Sequence, residues 1–291
     1  MSFCNDSPTV SILMGVYNPD RCHVKEAIDS LLHQTYHDWE LLIINDGSRE
    51  HITEEIKRYS NIDERMKYLH IGANKGLAFA LNVGIAEARG MYLARMDADD
   101  VSHPERLMEQ VKFLEANPEY GWVGTRAYLF DHKGIWGEEN MEVIPQKESF
   151  LRYSPFIHPS VMFRREIFQK YGGYREAKET ERCEDYELFM RLYRNGERGY
   201  NLERRLLYYR EDVHSYKRRT VRAAFHEMKV RQRGFLELGI LKPWTLHQVL
   251  RPLLVATLPS ALIKKRRRQR NKNNGQANKL PGDSARKSEP L

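Results

Sequence analysis

Four short apolar runs in the first hundred residues, separated by helical patterns, constrain this chain more than any other feature. Val10 to Val16 reads as a strand that ends in the turn Tyr17-Asn18-Pro19, and Val24 to His33 has helical spacing. Trp39 to Ile44 is a second strand, stopping at Asn45-Asp46-Gly47-Ser48. Ile52 to Tyr59 is helical, Met66 to Ile71 is a third strand, and Leu77 to Ala88 is a helix stopped by Gly90. Tyr92 to Met96 is a fourth strand, ending at Asp97-Ala98-Asp99-Asp100. Strand and helix in alternation predict an α/β fold, a Rossmann-like and mainly parallel sheet flanked by helices. Ligands of such sheets sit beyond the carboxyl ends of the strands. Tyr17, Asp46 and the three carboxylates of residues 97–100 all fall at such ends, so distant parts of the chain should meet at one crevice.

The second half is less regular. Pro104 to Asn117 reads as a helix, Gly121 to Phe130 as a strand, and Ser149 to Pro159 as a loop or short helix. Glu184 to Arg194 is a helix stopped by Asn195-Gly196, Leu206 to Tyr209 a strand, and Thr220 to Leu238 a long helix. An apolar segment from Trp244 to Ile263, interrupted by Pro252 and Pro259, runs into six Lys/Arg within the seven residues from Lys264. The tail from Lys264 holds ten of the 47 basic residues and two of the 40 acidic ones. Removing it leaves 37 basic against 38 acidic, so the net charge of +7 belongs to the tail and not to the fold. Residues 1–216 are expected to form the catalytic domain, 217–263 a helical extension, and 264–291 a basic disordered tail.

Three carboxylates within residues 97–100 are expensive to hold together unless a cation neutralises them. Hard oxygen ligands suit Mg²⁺ or Mn²⁺, which usually share their coordination with substrate phosphates. A solvated acidic turn capping the next helix is the plain alternative. Glu184-Asp185 opens a helix, where acidic residues commonly complement the macrodipole. Asn74-Lys75-Gly76 leads into a helix N-terminus that can approach phosphate. No Walker pattern and no G-x-G-x-x-G is present. His158 lies beside an apolar strand and reads as a structural residue.

Taken in order, these motifs resemble the family 2 glycosyltransferases, whose fold is GT-A. Val10 to Asn18 is similar to the family's opening strand, Ile28 to Tyr36 to its first helix, and Trp39 to Ser48 to the strand ending in an Asp-Gly-Ser turn. Asn74 to Ala78, Asn82 to Ile85, Met96 to Asp100 and Glu184-Asp185 follow in the family's sequence, over roughly residues 8 to 215 in a match of the kind motif order supports. The resemblance implies roles. Tyr17 would pack near the nucleotide base, Asp46 would accept a hydrogen bond from it, and Asp97 would lie near the ribose. Asp99 would bind the metal that bridges the diphosphate. Asp185 would deprotonate the acceptor hydroxyl, with Glu184 positioning acceptor or base. After the last strand the family often carries Arg-x-His. Here Arg210 fits, Asp212 takes the usual His place, and His214, displaced by two, is the candidate second metal ligand.

The expected enzyme is an inverting hexosyl- or N-acetylhexosaminyltransferase that uses a nucleotide sugar, by resemblance a UDP-sugar. Its acceptor would be a saccharide, polyprenyl-linked, in O-antigen, capsule or exopolysaccharide synthesis. Three cysteines (Cys4, Cys22, Cys183) without metal-ligand spacing, and no secretory pattern at the start, point to the cytosol. The apolar stretch with its basic run points to a peripheral contact with the inner face of the membrane. Two other classes compete. A nucleotidyltransferase would carry a Gly-rich, basic loop after the first strand, which Gly15-Val16-Tyr17-Asn18-Pro19 is not. A nucleic-acid-binding protein is suggested by the tail alone, and the near-neutral body argues against specific nucleic-acid recognition.

Overall fold

The computed structural model describes residues 7–211, 220–259, 262, 265–269 and 271. Nine strands form one sheet among these residues: β1 (Val10–Val16), β2 (Trp39–Asn45), β3 (Met66–His70), β4 (Tyr92–Arg95), β5 (Val101–Ser102), β6 (Trp122–Asp131), β7 (Gly134–Glu139), β8 (Met162–Arg164) and β9 (Gly199–Arg210). Their order is β3-β2-β1-β4-β8-β6-β9-β5, with β7 paired to β6. The stretch from β3 to β4 is wholly parallel, and β6 lies parallel to β9. β8 joins the two halves antiparallel, and β5 and β7 are antiparallel additions.

Successive side chains of a strand point to opposite faces, and both faces here are covered. Leu13, Leu42 and Ile44 face α3 (Leu77–Glu87), α5 (Arg165–Tyr171) and α6 (Glu184–Arg194). Ile12, Met14, Leu41 and Ile43 face α1 (Arg21–Leu32), α2 (Glu50–Ser60) and α4 (Arg106–Ala116). That is why β1 and β2 read as unbroken apolar runs and not as an alternation. Asp20 caps α1 by accepting from the amides of Cys22 and His23.

Two further helices, α7 (Val221–Glu237) and α8 (Leu246–Ala256), follow the sheet. Val230, Phe235, Leu238, Ile240 and Val249 share one apolar core with Leu188, Phe189 and Met190 of α6. α7 approaches α6 closely at Gly234, where an added Cβ would lie 2.3 Å from the Met190 sulfur. The expected helical extension is therefore packed as a wall of the catalytic body. α8 contains Pro252, and a proline inside a helix removes one ladder hydrogen bond.

The structure departs from the sequence reading in several places. β9 spans twelve residues, not the four of Leu206 to Tyr209. β5, β7 and α5 were not anticipated, β5 holding only two residues, too few to show a period, and the apolar strand beside His158 is the three-residue β8. Composition predicts disorder from Lys264 onward, yet residues 265–269 are helical. Arg267 pairs with Glu139 at 2.6 Å and with Glu211 at 2.8 Å, and Arg268 pairs with Asp131 at 2.5 Å. Those ion pairs hold this stretch against β6 and β7. Among the described residues, no helix is long and apolar enough to cross a membrane. Cys22 and Cys183 are free thiols.

Candidate active site

β1, β2 and β4 lie side by side, with Val16 opposite Asn45 and Leu13 opposite Arg95, and all three end at the same edge of the sheet. Tyr17 follows β1 and is half exposed. Asp46 follows β2, and its amide donates to the Val16 carbonyl at 2.9 Å. The two loops are tied together: Asn18 N donates to Ser48 Oγ at 2.9 Å, and Arg49 N donates to Asn18 Oδ1 at 3.0 Å. Asp46 is buried, and its two oxygens accept from the amides of Lys75 and Gly76, each at 2.8 Å. The carboxylate that the resemblance assigns to the nucleotide base thus also shapes the loop opening α3. Gly47 lets that loop approach. It has φ +74°, and a Cβ there would sit 2.6 Å from the Asn74 nitrogen.

β4 ends in Arg95, which is only 2% exposed. Its guanidinium pairs with Asp97 Oδ1 at 2.5 Å and donates to the Met96 carbonyl. Burial works against the Arg95 charge, and Asp97, Tyr174 and Asp100 outweigh it. The same cation holds down the proton affinity of Glu184 and Asp185 on α6. Arg95 is therefore pinned to Asp97, and its charge also acts on Glu184 and Asp185. Strand-pattern reasoning missed it. The signal available was a basic residue at the end of an apolar run, directly before three carboxylates.

Asp97, Asp99 and Asp100 each offer an oxygen, and these oxygens lie within 4.8 Å of one another. Asp97 and Asp99 are half-buried and Asp100 is buried. Burial, then the charges of Asp97 and Asp99, push the Asp100 carboxyl well above the usual range. Its Oδ1 accepts from the Arg210 amide at 2.8 Å, while its buried Oδ2 has no hydrogen-bond partner among the described residues. Close-set hard oxygens, one of them buried and unsatisfied, fit a divalent cation. The turn does not cap the following helix: α4 begins at Arg106, and its cap Glu105 makes no side-chain capping bond. Arg210 braces the turn, donating from Nε to the Asp99 carbonyl at 2.7 Å and pairing with Glu26. Arg106, fully buried, donates to the carbonyls of Arg95 and Pro159 at 3.2 and 2.8 Å; burial lowers its pKa to about 10.

Glu184 and Asp185 stand in the first turn of α6, as the sequence predicts. Burial, and then the Glu184 charge, raise the Asp185 carboxyl to about 7. Burial likewise raises Glu184. His158 has the structural role expected of it. It shares a 2.7 Å hydrogen bond with the Tyr174 hydroxyl, and burial followed by the Arg95 charge holds it well below the usual histidine range. His214, like Asp212, lies outside the described residues.

A cavity of about 590 Å³ opens beside this constellation. Asp97 and Asp99 line it from the sheet edge, Arg182 and Cys183 from the start of α6, Glu227 from α7, and Arg251 from α8. Tyr17, Asp46, Glu184 and Asp185 are not among its lining residues. The structure thus places Asp97 and Asp99 on the cavity wall, Asp185 two residues after the lining residue Cys183 and outside the lining, and Tyr17 with Asp46 at the ends of the neighbouring strands β1 and β2.

Residues 11–172 match the family described as Glycosyl transferase family 2. EpsE of Bacillus subtilis (strain 168), designated a glycosyltransferase, is 34% identical over 267 residues, spanning 91% of this chain and 95% of that one. The UDP-Gal:alpha-D-GlcNAc-diphosphoundecaprenol beta-1,3-galactosyltransferase of Escherichia coli is 30% identical over 240 residues, covering 77% of this chain and 82% of its own. Among solved structures, the mannosyltransferase PcManGT from Pyrobaculum calidifontis, in complex with GDP-Man and Mn²⁺, superimposes with a TM-score of 0.60 at 19% identity, over 95% of this chain and 82% of that one. That likeness shows the fold, which is GT-A. The chain belongs to glycosyl transferase family 2 and is a glycosyltransferase.

Proposed function

We propose that the protein transfers one sugar, with inversion, from a nucleoside-diphosphate donor to a hydroxyl of a lipid-linked saccharide at a membrane surface. A UDP-sugar is the favoured donor, and assembly of a cell-surface polysaccharide is the favoured setting. The observation that carries this is the meeting of Asp97 and Asp99 with Arg182 and Cys183, the two residues directly before α6, around one cavity. The E. coli relative, whose name gives a UDP-sugar donor and a diphosphoundecaprenol-linked acceptor, supports the choice of substrates.

A divalent cation, Mn²⁺ or Mg²⁺, bound through Asp99 would neutralise charge on the departing diphosphate. The chain's own residues do the rest. Asp97, fixed by Arg95, borders the donor end of the cavity. The loop that Asp46 holds at Lys75 and Gly76 sits at the donor end of the sheet edge, with Tyr17 beside it to cover the base. Asp185 takes the acceptor's hydroxyl proton, as the acceptor oxygen bonds to the anomeric carbon and the bond from that carbon to the diphosphate oxygen breaks. A base with pKa near 7 suits that proton transfer, being ionised enough to act yet basic enough to accept. Attack from the side opposite the leaving group gives inversion. Arg152, Arg182 and Arg251 on the cavity wall suit an acceptor that carries phosphate.

The test is product identity. The protein with UDP-sugars, Mn²⁺ and a polyprenyl-diphosphate-linked saccharide should release nucleoside diphosphate in step with glycolipid formation. Release of pyrophosphate from a nucleoside triphosphate and a sugar phosphate would point to a nucleotidyltransferase instead.

A further inference from the structure

α8 presents two unlike faces. One is turned inward: Val249 and Pro252 are buried, and Arg251, Pro252, Val255 and Ala256 line the cavity. The other carries Leu246, Leu250 and Leu254, four residues apart and therefore on one side of the helix, all exposed, Leu254 by 66%. Trp244, immediately before the helix, is 73% exposed. The spacing of four continues in Leu258 and Leu262, both exposed as well. Single exposed leucines are ordinary, but three on one side of a helix with an exposed tryptophan directly before it form an apolar stripe of the kind that marks a contact surface.

The charge beside this row identifies the partner. No acidic residue occurs between Glu237 and Asp283, while the same segment carries Lys242, Arg251 and the basic run from Lys264. Lys265 and Arg266 are exposed, whereas Arg267 and Arg268 are held by acids of β6, β7 and Glu211. An apolar stripe on a segment whose own charges are all basic complements an anionic bilayer surface, and it disfavours a second copy of itself.

We propose that α8 is the membrane-docking element of the protein, with Trp244, Leu246, Leu250 and Leu254 entering the headgroup–acyl boundary of an anionic bilayer while its opposite face walls the cavity. The docked helix brings the mouth of the cavity to the lipid surface. For its consequence, delivery of a lipid-linked acceptor, this rests on the function proposed above; the docking itself does not. α8 is too short to span, so the contact is interfacial and reversible.

The experiment is flotation of the full chain with phosphatidylcholine vesicles containing roughly a third phosphatidylglycerol, at low salt. Wild type should float, should float less on phosphatidylcholine alone, and should be partly released by high salt. The double variant Leu250→Glu/Leu254→Glu should lose vesicle binding by about tenfold or more, because two apolar anchors are exchanged for like-charged repulsion. It should keep its melting temperature and its turnover of a water-soluble acceptor analogue. If the glutamates unfold the chain, Leu250→Ala/Leu254→Ala must give the same ordering in weaker form. Wild type that stays at the bottom of the gradient overturns the proposal, as does a double variant that floats like wild type. A wild-type dimer in sedimentation that the double variant abolishes, without vesicle binding, assigns the stripe to a second copy and also overturns it. Flotation that depends on Leu250 and Leu254, with transfer to soluble saccharides but none to lipid-linked ones, supports the docking and sinks the lipid-linked acceptor instead.

Discussion

Asp185 carries the sharpest residue-level consequences. A carboxyl raised to about 7 by burial must lose its proton before it can act as a base. The kcat/KM profile should therefore rise about tenfold per pH unit on its acid side and level off near pH 7. An acid limb below pH 5 would assign the base to another group. Asp185→Asn should lower kcat by at least about a hundredfold while leaving donor affinity unchanged. If donor affinity collapses and saturating turnover survives, Asp185 belongs to the donor site. The same shift has a stability consequence of definite sign. The folded chain holds the Asp185 proton more tightly than the unfolded chain, so stability falls as pH rises from the ordinary aspartate range toward 7. Asp185→Asn removes that loss, and its gain in melting temperature over wild type should be larger at pH 8 than at pH 4. The carboxylates of this site were legible in the sequence because clustered charge at a strand end is conspicuous. Arg95 was not, because one basic residue closing a short strand looks like the strand's solvated end. Only the fold shows it 2% exposed and pinned to Asp97.

At the scale of elements, the edge of the sheet beyond β2 depends on a clamp between two loops. Asp46 holds the amides of Lys75 and Gly76, and Gly47 lets the 73–74 backbone come against it. Gly47→Ala adds a Cβ 2.6 Å from the Asn74 nitrogen at a φ of +74°, so it should cost about 2 kcal/mol or more, read by urea denaturation. A loss under about 0.5 kcal/mol would mean that the loop reshapes freely and is not a fixed floor. The N-terminal strands were readable as apolar runs closed by turn residues, the helices were long enough to show their period, and α6 was placed at its true ends, Glu184 to Arg194. β5 was not, since a piece of two residues takes its conformation from β9 alongside. β9 was under-read because charged side chains at Glu203, Arg204 and Arg205 interrupt its apolar pattern; Arg204 reaches Glu105 and Glu109, and Arg205 reaches Glu138.

At the scale of the molecule, α7 and α8 belong to the folded body. Composition suggests an appendage after the catalytic residues, but Phe235, Ile240 and Val249 are buried against α6, and Arg251 and Val255 wall the cavity. Removing the chain from Trp244 onward should therefore lower the melting temperature and abolish transfer even to a soluble acceptor. A truncated protein with wild-type stability and turnover would show that α8 is only an anchor. This is also why point changes on the outer face of α8 test membrane docking more cleanly than truncation does.

The most direct test of the central claim is acceptor-dependent release of nucleoside diphosphate from a UDP-sugar, measured for wild type and Asp99→Ala with Mn²⁺ and with excess EDTA. The cluster of Asp97, Asp99 and Asp100 at the cavity predicts release by wild type with Mn²⁺ only, and none by Asp99→Ala under either condition. Full release in EDTA, or wild-type release by Asp99→Ala, would contradict a metal-assisted transfer at this site.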